Sequence, residues 1–340
     1  MEKTNIEWAD ATFNPWIGCT KVSPACQNCY AERDMDHRYG RVTWGRKGTR
    51  SVTSDENWAQ PRKWNRNLLK ARALGAECPD QIRVFCASLA DVFEDWDGPL
   101  ISHRGQVLLD PVGKNVTMND MRKRLFTMIA ETPNLEWMLL TKRPENIERM
   151  IVECASEPMH NLWLGTTIEN QEWADKRLKY LLDCRSLAKV LFVSCEPLLG
   201  PIDFSRVPFG SLNGSHMYAD VLTGVYTQEH AGDVETYPQW EEVPGGPHLD
   251  WVIAGGESGP SARPSHTNWY RSIRDQCAAS GVPFHFKQWG EWWDPQQGCG
   301  DEKDQKCHEE GGYLRIGKKK AGRILDGEVH NGLPSVTIRL

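Results

Sequence analysis

The chain has 340 residues, 39% hydrophobic and 25% charged, which is typical of a folded globular protein and excludes a largely disordered chain. It has no apolar run near the roughly 20 residues that span a bilayer. Its first residues, MEKTNIEWAD, include acids where a secretory signal would be basic and then apolar, so we expect a cytoplasmic protein without a membrane partner. The net charge of −6 excludes a general electrostatic attraction to nucleic acid.

The first predicted elements are a strand around Ile6–Phe13 and a loop, residues 18–30, that carries three cysteines. Cys19, Cys26 and Cys29 lie within eleven residues. Structural zinc sites usually have four protein ligands, whereas three thiolates leave one open position on a metal or an iron–sulfur cluster. The thiol spacing alone favours a cluster and zinc about equally, and a redox dithiol is a third alternative. A distant fourth zinc ligand would be one of these residues: His37, Cys299, Cys307 or His308.

The remaining cysteines are interpreted as core residues rather than disulfide partners. The chain has eleven cysteines, an odd number without an even framework of spacings. Cys86 and Cys195 lie inside apolar runs, where cysteine acts as a small hydrophobic residue.

The segment from Arg41 to Arg72 is basic and rich in tryptophan. It has nine Lys or Arg residues against Asp55 and Glu56, with three tryptophans between them. Such a segment is able to follow a phosphate backbone and stack on bases. The more ordinary interpretation is a solvated helix face with tryptophans in the core, and nucleic-acid contact is kept as a minority hypothesis.

From residue 82 onward, short apolar runs that end in polar residues alternate with stretches of helical periodicity. The predicted strands are Ile82–Ser88, Trp137–Leu140, Leu162–Ile168, Val190–Val193, Trp251–Ala254 and Pro283–Phe286. The predicted helices are Met118–Ile129, Pro144–Cys154, Gln171–Asp183 and Asn268–Ser280. Apolar strands separated by helices indicate an α/β fold with a parallel sheet, and about seven strands predict a complete or partial (β/α) TIM-like barrel.

Two segments do not fit this repeat. Phe209–Leu249 has no clean periodicity and is interpreted as an insertion, residues 209–249, that forms a hairpin or a lid. The tail after residue 290 contains Cys299, Cys307 and His308, for which loop thiols are favoured over a second metal site. We therefore divide the chain into a barrel at 1–290 and a C-terminal extension at 291–340.

A three-cysteine loop followed by a parallel barrel with polar strand ends resembles the radical S-adenosylmethionine superfamily. The chain is more closely similar to a phage- and prophage-associated family of poorly characterised three-cysteine proteins. The matching segments are FNPWIGCTKVSPACQNCYAE, LLTKRPENI, LGTTIENQ, LFVSCEPLLGPI, WVIAGGESGPSARP, IRDQCAASGVPFHFKQWGEW and GKKKAGRILDG. The thiol spacing here is C-x6-C-x2-C, which departs from the usual C-x3-C-x2-C of the superfamily, and the Gly-Gly-Glu sequence comes late, at residues 255–257.

The resemblance implies a radical enzyme with a [4Fe–4S] cluster on Cys19, Cys26 and Cys29. The open iron would bind S-adenosylmethionine, an electron from a flavodoxin- or ferredoxin-like reductant would cleave it, and the resulting 5′-deoxyadenosyl radical would abstract hydrogen from the substrate. A phage association suggests a nucleotide or a base in phage DNA, modified by isomerisation or rearrangement in the host cytoplasm.

Roles for the strand-end residues follow from their chemistry and their position in the expected barrel. We predict that Ser88 and Asp91 contact the methionine ammonium of S-adenosylmethionine and that Arg177 contacts its carboxylate. The predicted contacts of the ribose are Thr167, Glu169 and Asn170. Ser194 is predicted to line the adjoining mouth of the barrel. Catalytic roles are predicted for Glu196, Glu257 and Lys287, with Ser258 and Gln288 beside them. Lys142 and Arg143 suggest an anionic ligand, or else a salt bridge to Glu169 or Glu196; for Arg177 the alternative is a surface helix residue.

Two other functions compete with a radical enzyme. One is a zinc-binding, non-catalytic protein that binds nucleic acid as a phage accessory factor. The other is a nucleotide hydrolase on a barrel that uses Glu169, Glu196 or Glu257 as acid–base groups but has no use for the thiol loop.

Overall fold

The computed structural model describes residue 4 and residues 6–212, 215–229, 240–294, 309–310 and 312–335. The chain divides into two compact units. The first contains Met1–Gly165 and Ser186–Lys189, and the second contains Thr166–Arg185 and Val190–Leu340. This division differs from the boundary expected between residues 290 and 291, which stays a prediction.

The first unit holds the N-terminal strands and helices. Its strands are β1 (Ala11–Thr12), β2 (Trp16–Ile17), β3 (Arg50–Val52), β4 (Ile82–Cys86), β5 (Leu100–Ser102), β6 (Leu135–Thr141) and β7 (Leu162–Thr167), which ends in the second unit. Its helices are α1 (Tyr30–Glu32), continued by a π-helix over Arg33–Arg38, then α2 (Asp55–Ala73), α3 (Met118–Ala130) and α4 (Ile147–Cys154). Short 3-10 helices lie at Pro24–Cys26 and Pro144–Asn146.

The second unit holds the later strands. They are β8 (Val190–Cys195), β9 (Val207–Leu212), β10 (Ser215–Asp220), β11 (Val225–Glu229), β12 (Trp240–Val243), β13 (Trp251–Gly255), β14 (Phe284–Gln288), β15 (Trp292–Trp293), β16 (Glu309–Glu310) and β17 (Tyr313–Arg315). Its helices are α5 (Gln171–Asp183), α6 (Thr267–Ser280) and α7 (Lys318–Ala321). A 3-10 helix at Arg185–Leu187 lies on the boundary between the units.

Seven strands form one parallel sheet in the order β1-β4-β6-β7-β8-β13-β14. The alternation of apolar strands and helices therefore predicted the mixed α/β fold and its parallel sheet correctly, and the sheet is consistent with a partial barrel. The first strand is shorter than expected. Its regular part is Ala11–Thr12, and the flanking N–H groups of Asp10 and Phe13 also donate to β4. The chain before it turns, with Ala9 N–H donating to the carbonyl of Ile6 at 3.2 Å.

The helices begin at side chains that accept hydrogen bonds from their first turns. Thr117 and Asp120 form a reciprocal capping box at α3, and Asn170 accepts from Trp173 N–H at α5. The apolar faces that follow these caps lie in the core of each unit. In the first unit Phe13 packs edge-to-face on Trp58 and Trp137, which confirms the core interpretation for Trp58.

The segment expected as an insertion forms a four-stranded antiparallel sheet in the order β12-β11-β10-β9. Each strand pairs antiparallel with the next along the chain. The interpretation of residues 209–249 as an insertion that forms a hairpin or a lid stays a prediction. Beyond it, β15, β17 and β16 form a small sheet. Cys299, Cys307 and His308 lie outside the described residues, whereas Cys86 and Cys195 are fully buried as expected. No described helix has the length and apolarity needed to cross a membrane.

Candidate functional site

The cysteine loop of the first unit begins at Gly18, which joins it to the chain after β4. Gly18 N–H donates to the carbonyl of Leu89 at 3.0 Å, and the residue has φ +113°. A side chain at this position would collide with the carbonyl oxygen of Thr49. Glycine is therefore required here, both for the backbone angle and for the close approach.

Local structure fixes the rest of the loop. Cys26 ends the 3-10 helix begun by Pro24, and Cys29 directly precedes α1. The hydroxyl of Tyr30 donates to the carbonyl of Ser88 at 2.8 Å, so the loop is tied to the segment after β4 at both ends. All three cysteine residues are partly exposed, which suits a site that has to bind an inorganic group from outside.

Four charged side chains behind the loop form a buried network. Arg50 forms a double hydrogen bond with Glu94, at 2.7 and 2.8 Å, and both side chains are almost fully buried. Arg143 pairs with Asp91 at 2.8 Å and lies 3.5 Å from Glu94. The charges alternate in sign, so every buried charge in this network has an opposite neighbour, as a buried ion requires.

Both arginines of the network also hold the cysteine loop through Thr20. Arg143 Nη2 donates to the carbonyl of Thr20 at 2.7 Å, and Arg50 Nη2 donates to its hydroxyl at 2.9 Å. Arg143 Nη1 lies 3.7 Å from the sulfur of Cys19. The position of Cys19 is therefore set by two planar guanidinium groups that are themselves fixed by buried carboxylates.

The network controls ionisation around the loop. Burial raises the pKa of Cys19 to about 12, and Asp91 and Glu94 add to this effect while Arg143 opposes it. Burial also raises the pKa of Cys29, and the Lys142 cation opposes that rise. For Asp91 burial disfavours ionisation, but Arg143 and hydrogen bonds outweigh it, so its pKa is lowered. These shifts favour the protonated thiols of Cys19 and Cys29 and the charged carboxylate of Asp91.

Among the described residues, the hydrogen-bond partners of the Asp91 carboxylate lie in the first unit. Besides Arg143, it accepts from Thr141 Oγ1 at 2.7 Å and from the backbone N–H groups of Phe93 and Lys142 at 3.0 and 3.1 Å. Asp91 thus connects the end of β6 to the loop after β4. Its predicted contact with an ammonium group stays a prediction.

In the second unit, the residues at the end of β7 form a separate buried pair. Arg177 Nη1 donates to Glu169 at 3.0 Å and to the carbonyl of Thr167 at 2.8 Å, and its guanidinium stacks on Trp173 at 4.1 Å. Arg177 is only 2% exposed, so the surface-helix alternative is wrong. Ser194 is also buried, and the Asn170 side chain caps α5.

The ends of β8, β13 and β14 bring together a second polar cluster. Lys287 Nζ lies 2.9 Å from each carboxylate oxygen of Glu196. Gln288 Nε2 donates to Glu196 at 3.3 Å and to Ser258 Oγ at 3.0 Å. The predicted catalytic residues Glu196 and Lys287 are therefore a direct ion pair, and Ser258 and Gln288 lie beside them as expected.

Glu257, the third predicted catalytic residue, is engaged differently. Arg263 donates to its two oxygens through Nη2 at 2.6 Å and Nε at 2.8 Å, and also through its backbone N–H. Main-chain contacts fix this region, because a side chain on Gly256 would overlap the carbonyl of Trp289, and one on Gly290 would overlap that of Glu257. These two glycines allow the backbones after β13 and β14 to touch.

The sequence matches a family model described as "Protein of unknown function (DUF5131)" over residues 3–99 and 107–334. The chain belongs to this family. No curated protein matches the chain, and no solved structure does.

In this DUF5131 protein most of the predicted residues fall into three groups, and Glu257 is paired separately with Arg263. Cys19, Ser88 and Asp91 lie together with Lys142 and Arg143 in the first unit. The second and third groups are the Glu169–Arg177 pair and the Glu196–Lys287 cluster of the second unit. The alternative in which Arg143 pairs with Glu169 or Glu196 is wrong, because its carboxylate partners are Asp91 and Glu94.

Sequence reasoning missed several partners in the DUF5131 chain. They are Arg50, Glu94, Thr20 and Arg263. Arg263 was detectable in principle, since it follows Glu257 by six residues in one loop. Arg50 and Glu94 are 44 residues apart and no local pattern joins them.

The described residues contain no group of three His, Cys, Asp or Glu side chains placed to hold one metal ion. Two thiols of the loop nevertheless lie close enough to interact, since Cys26 acts electrostatically on Cys29. The metal-binding role of Cys19, Cys26 and Cys29 stays a prediction.

Proposed function

We propose that this protein is a radical S-adenosylmethionine enzyme whose [4Fe–4S] cluster is held by Cys19, Cys26 and Cys29. The observation that carries the proposal is the way the cysteine loop is built. Three partly exposed cysteines lie on one short loop, and a buried network of two arginines and two carboxylates fixes Cys19. Such a network would hold the loop rigidly, so that its cysteines stay in position to bind a cluster.

The donor set fits a cluster with three protein ligands. Thiolates are the usual ligands of iron–sulfur clusters, and three of them leave one iron open. A cluster bound here would supply one-electron reduction of S-adenosylmethionine at that iron. Because the pKa values of Cys19 and Cys29 are raised, binding has to displace their protons, so assembly should be favoured by higher pH.

Two positively charged side chains lie beside the loop, where they would stabilise a negatively charged cluster. Arg143 Nη1 points at the sulfur of Cys19 from 3.7 Å, and hydrogen bonds of this kind tune ligand sulfurs. Lys142 acts electrostatically on Cys29, and its ammonium makes no hydrogen bond or ion pair within the described part of the chain. Both cations would stabilise the thiolate forms of the ligands.

For the substrate we propose a nucleotide or a base in phage DNA that undergoes isomerisation or rearrangement. Two features support this choice. Glu196 and Lys287 form a partly exposed carboxylate–ammonium pair, suited to moving protons on a bound base. On α2, Lys63, Arg66 and Lys70 lie three and four residues apart and are exposed, which suits contact with phosphates.

Metal analysis tests this proposal. The protein is purified anaerobically, and iron, sulfide and zinc are quantified in the unchanged chain, in Cys26→Ala and in Cys78→Ala. Cys78 is also a half-buried free cysteine but lies outside the loop, so its variant controls for loss of any thiol. We expect about four irons per chain, retained in Cys78→Ala and lost in Cys26→Ala.

One tightly bound zinc and no iron would overturn the proposal. That result would favour the zinc-binding, non-catalytic alternative. Its fourth ligand would then be sought with variants of His37, Cys299, Cys307 and His308.

A further inference from the structure

Residues 33–47 of the first unit, here called the basic segment, carry an excess of positive charge in a chain that is negative overall. The segment contains four arginines and one lysine against Asp34 and Asp36, whereas the whole chain has a net charge of −6. Both acids are engaged within the segment. Asp34 pairs with Arg33 at 2.9 Å, and Asp36 accepts from Trp44 N–H at 2.7 Å.

The side chains of the other four cations have no such partners. Arg38, Arg41, Arg46 and Lys47 are exposed, and they form no ion pair or hydrogen bond with any residue that the structure describes. One such cation alone is an ordinary hydrated surface group. Four within ten residues create a local positive potential that attracts a polyanion.

Tyr39 organises two of these cations at the surface. Its side chain is 52% exposed, and the guanidinium carbons of Arg38 and Arg41 lie 5.2 and 5.7 Å from the centre of its ring. Both distances are within the range of cation–π attraction. The backbone brings the two arginines to one ring, because Gly40 has φ +56° and Arg41 N–H then donates to the carbonyl of Met35 at 2.8 Å.

The basic segment lies against the cysteine loop at both of its ends. Arg33 N–H donates to the carbonyl of Cys29 at 3.1 Å, and Gly45 N–H donates to the carbonyl of Cys19 at 2.9 Å. The two cations that follow Gly45 form the tip of the same turn. A polyanion bound to the segment would therefore lie beside the cysteine loop.

From these observations we infer that the basic segment binds single-stranded DNA, with its arginines contacting phosphates and Tyr39 contacting an unpaired base. Cations interleaved with an exposed aromatic ring are typical of surfaces that bind single strands without sequence preference. A duplex keeps its bases stacked inside and offers none to Tyr39. The choice of DNA over RNA rests on the proposed function, whereas the binding of a single strand rests on the basic segment alone.

Fluorescence anisotropy with labelled oligonucleotides tests the inference on the whole protein as purified. The probes are an oligothymidylate of about 15 nucleotides, near the upper site size of a single-strand-binding fold, and the same strand paired with its complement. We expect the single strand to bind about tenfold more tightly than the duplex, because only the single strand has unpaired bases to stack. No binding of the single strand at low salt, or equal binding of both probes, would overturn the inference.

A competitor distinguishes DNA from an acidic protein surface, which is also a polyanion. Poly-L-glutamate carries carboxylates but has no bases, so we expect it to displace the labelled strand much less well than unlabelled oligothymidylate does. Equal displacement by the two competitors would contradict the inference and favour an acidic protein as the partner.

A charge-matched pair of variants identifies the residues responsible. Arg38→Gln combined with Arg41→Gln should weaken single-strand binding about tenfold. It should also reduce the slope of log affinity against log salt by about 1.4, since each phosphate contact on a single strand contributes about 0.7. Arg104→Gln combined with Lys114→Gln removes the same charge from exposed positions after β5 and should change neither quantity. Equal losses in the two double variants would contradict a specific site.

Substitutions of Tyr39 separate stacking from charge. Tyr39→Leu should weaken single-strand binding about fivefold or more, whereas Tyr39→Phe keeps the ring and should bind like the unchanged chain. Equal binding by Tyr39→Leu would contradict the base contact. These titrations need neither iron nor S-adenosylmethionine. A zinc protein that binds the single strand would support this inference and overturn the radical proposal, and an iron protein that does not bind it would do the reverse.

Discussion

The two units use the same residue types, carboxylates paired with cations, in different ways. In the first unit Arg50, Glu94, Asp91 and Arg143 are almost fully buried and bond to one another and to the cysteine loop. In the second unit Glu196 and Lys287 are partly exposed, and the adjoining Gln288 keeps an acceptor with no partner among the described residues. The first arrangement is suited to holding a loop in place, and the second leaves its ion pair partly open to solvent.

The largest expected effect comes from breaking the buried pair of the first unit. Arg50→Met leaves Glu94 charged and buried, so we expect a loss of about 3 to 5 kcal/mol in the free energy of unfolding. Urea titration followed by tryptophan fluorescence measures it. The control is Arg62→Met, whose pair with Glu131 is exposed and should contribute less than about 1 kcal/mol. Equal effects of the two variants would contradict a special role for the buried network.

The second prediction separates loop positioning from charge. Arg143→Lys keeps a cation but loses the fork that contacts both Asp91 and Thr20. We expect its affinity for the cluster to fall about 10- to 100-fold, as with other supporting groups around metal ligands, measured as iron retained during dialysis against a chelator. Arg149→Lys, an exposed arginine of α4, should retain iron like the unchanged chain. Unchanged retention in Arg143→Lys would show that the fork does not hold the loop.

The third prediction concerns the partly exposed pair of the second unit. A double-mutant cycle with Glu196→Gln and Lys287→Met should give a coupling energy of about 1 kcal/mol, since solvent weakens the attraction. Urea titration of the four proteins measures it. A coupling as large as the Arg50→Met effect would remove the difference between the two units.

The smallest effect is expected at a surface pair, Asp326 with Arg271 and Arg274. The hydrogen bond from Arg271 is the main cause that holds the pKa of Asp326 well below its usual range. Because the folded pKa is lower than the unfolded one, the pair stabilises the fold above the unfolded pKa of about 3.9 and loses this contribution as pH falls through the folded pKa. Asn tolerates the positive φ of this residue, 53°.

We therefore expect Asp326→Asn to lower the free energy of unfolding by less than about 1 kcal/mol at pH 7, since the pair is partly exposed. The difference should shrink as the pH is lowered below about 4, where the unfolded carboxyl becomes protonated. Urea midpoints measured across pH test this, with Glu328→Gln as an exposed control. A difference that grows on acidification would contradict the sign.

Periodicity predicted the sheet well because its strands are continuously apolar. The strand at 162–168 and the helix at 171–183 agree with the structure within one residue. It also placed polar residues at strand ends, and this brought Glu196, Lys287, Gln288 and Ser258 together. The charge partners of Arg143 were not predictable in the same way. Arg143 pairs with carboxylates 49 and 52 residues away, and this depends on the folded positions of two strand ends rather than on a local pattern.

Electron paramagnetic resonance tests the central claim, an open iron on the cysteine loop, most directly. The reduced protein is measured anaerobically with and without S-adenosylmethionine, and S-adenosylhomocysteine serves as the ligand control. We predict a cluster signal that S-adenosylmethionine perturbs and that is absent in Cys26→Ala. An iron-containing protein whose signal S-adenosylmethionine leaves unchanged, or one that gives no cluster signal at all, would contradict the account.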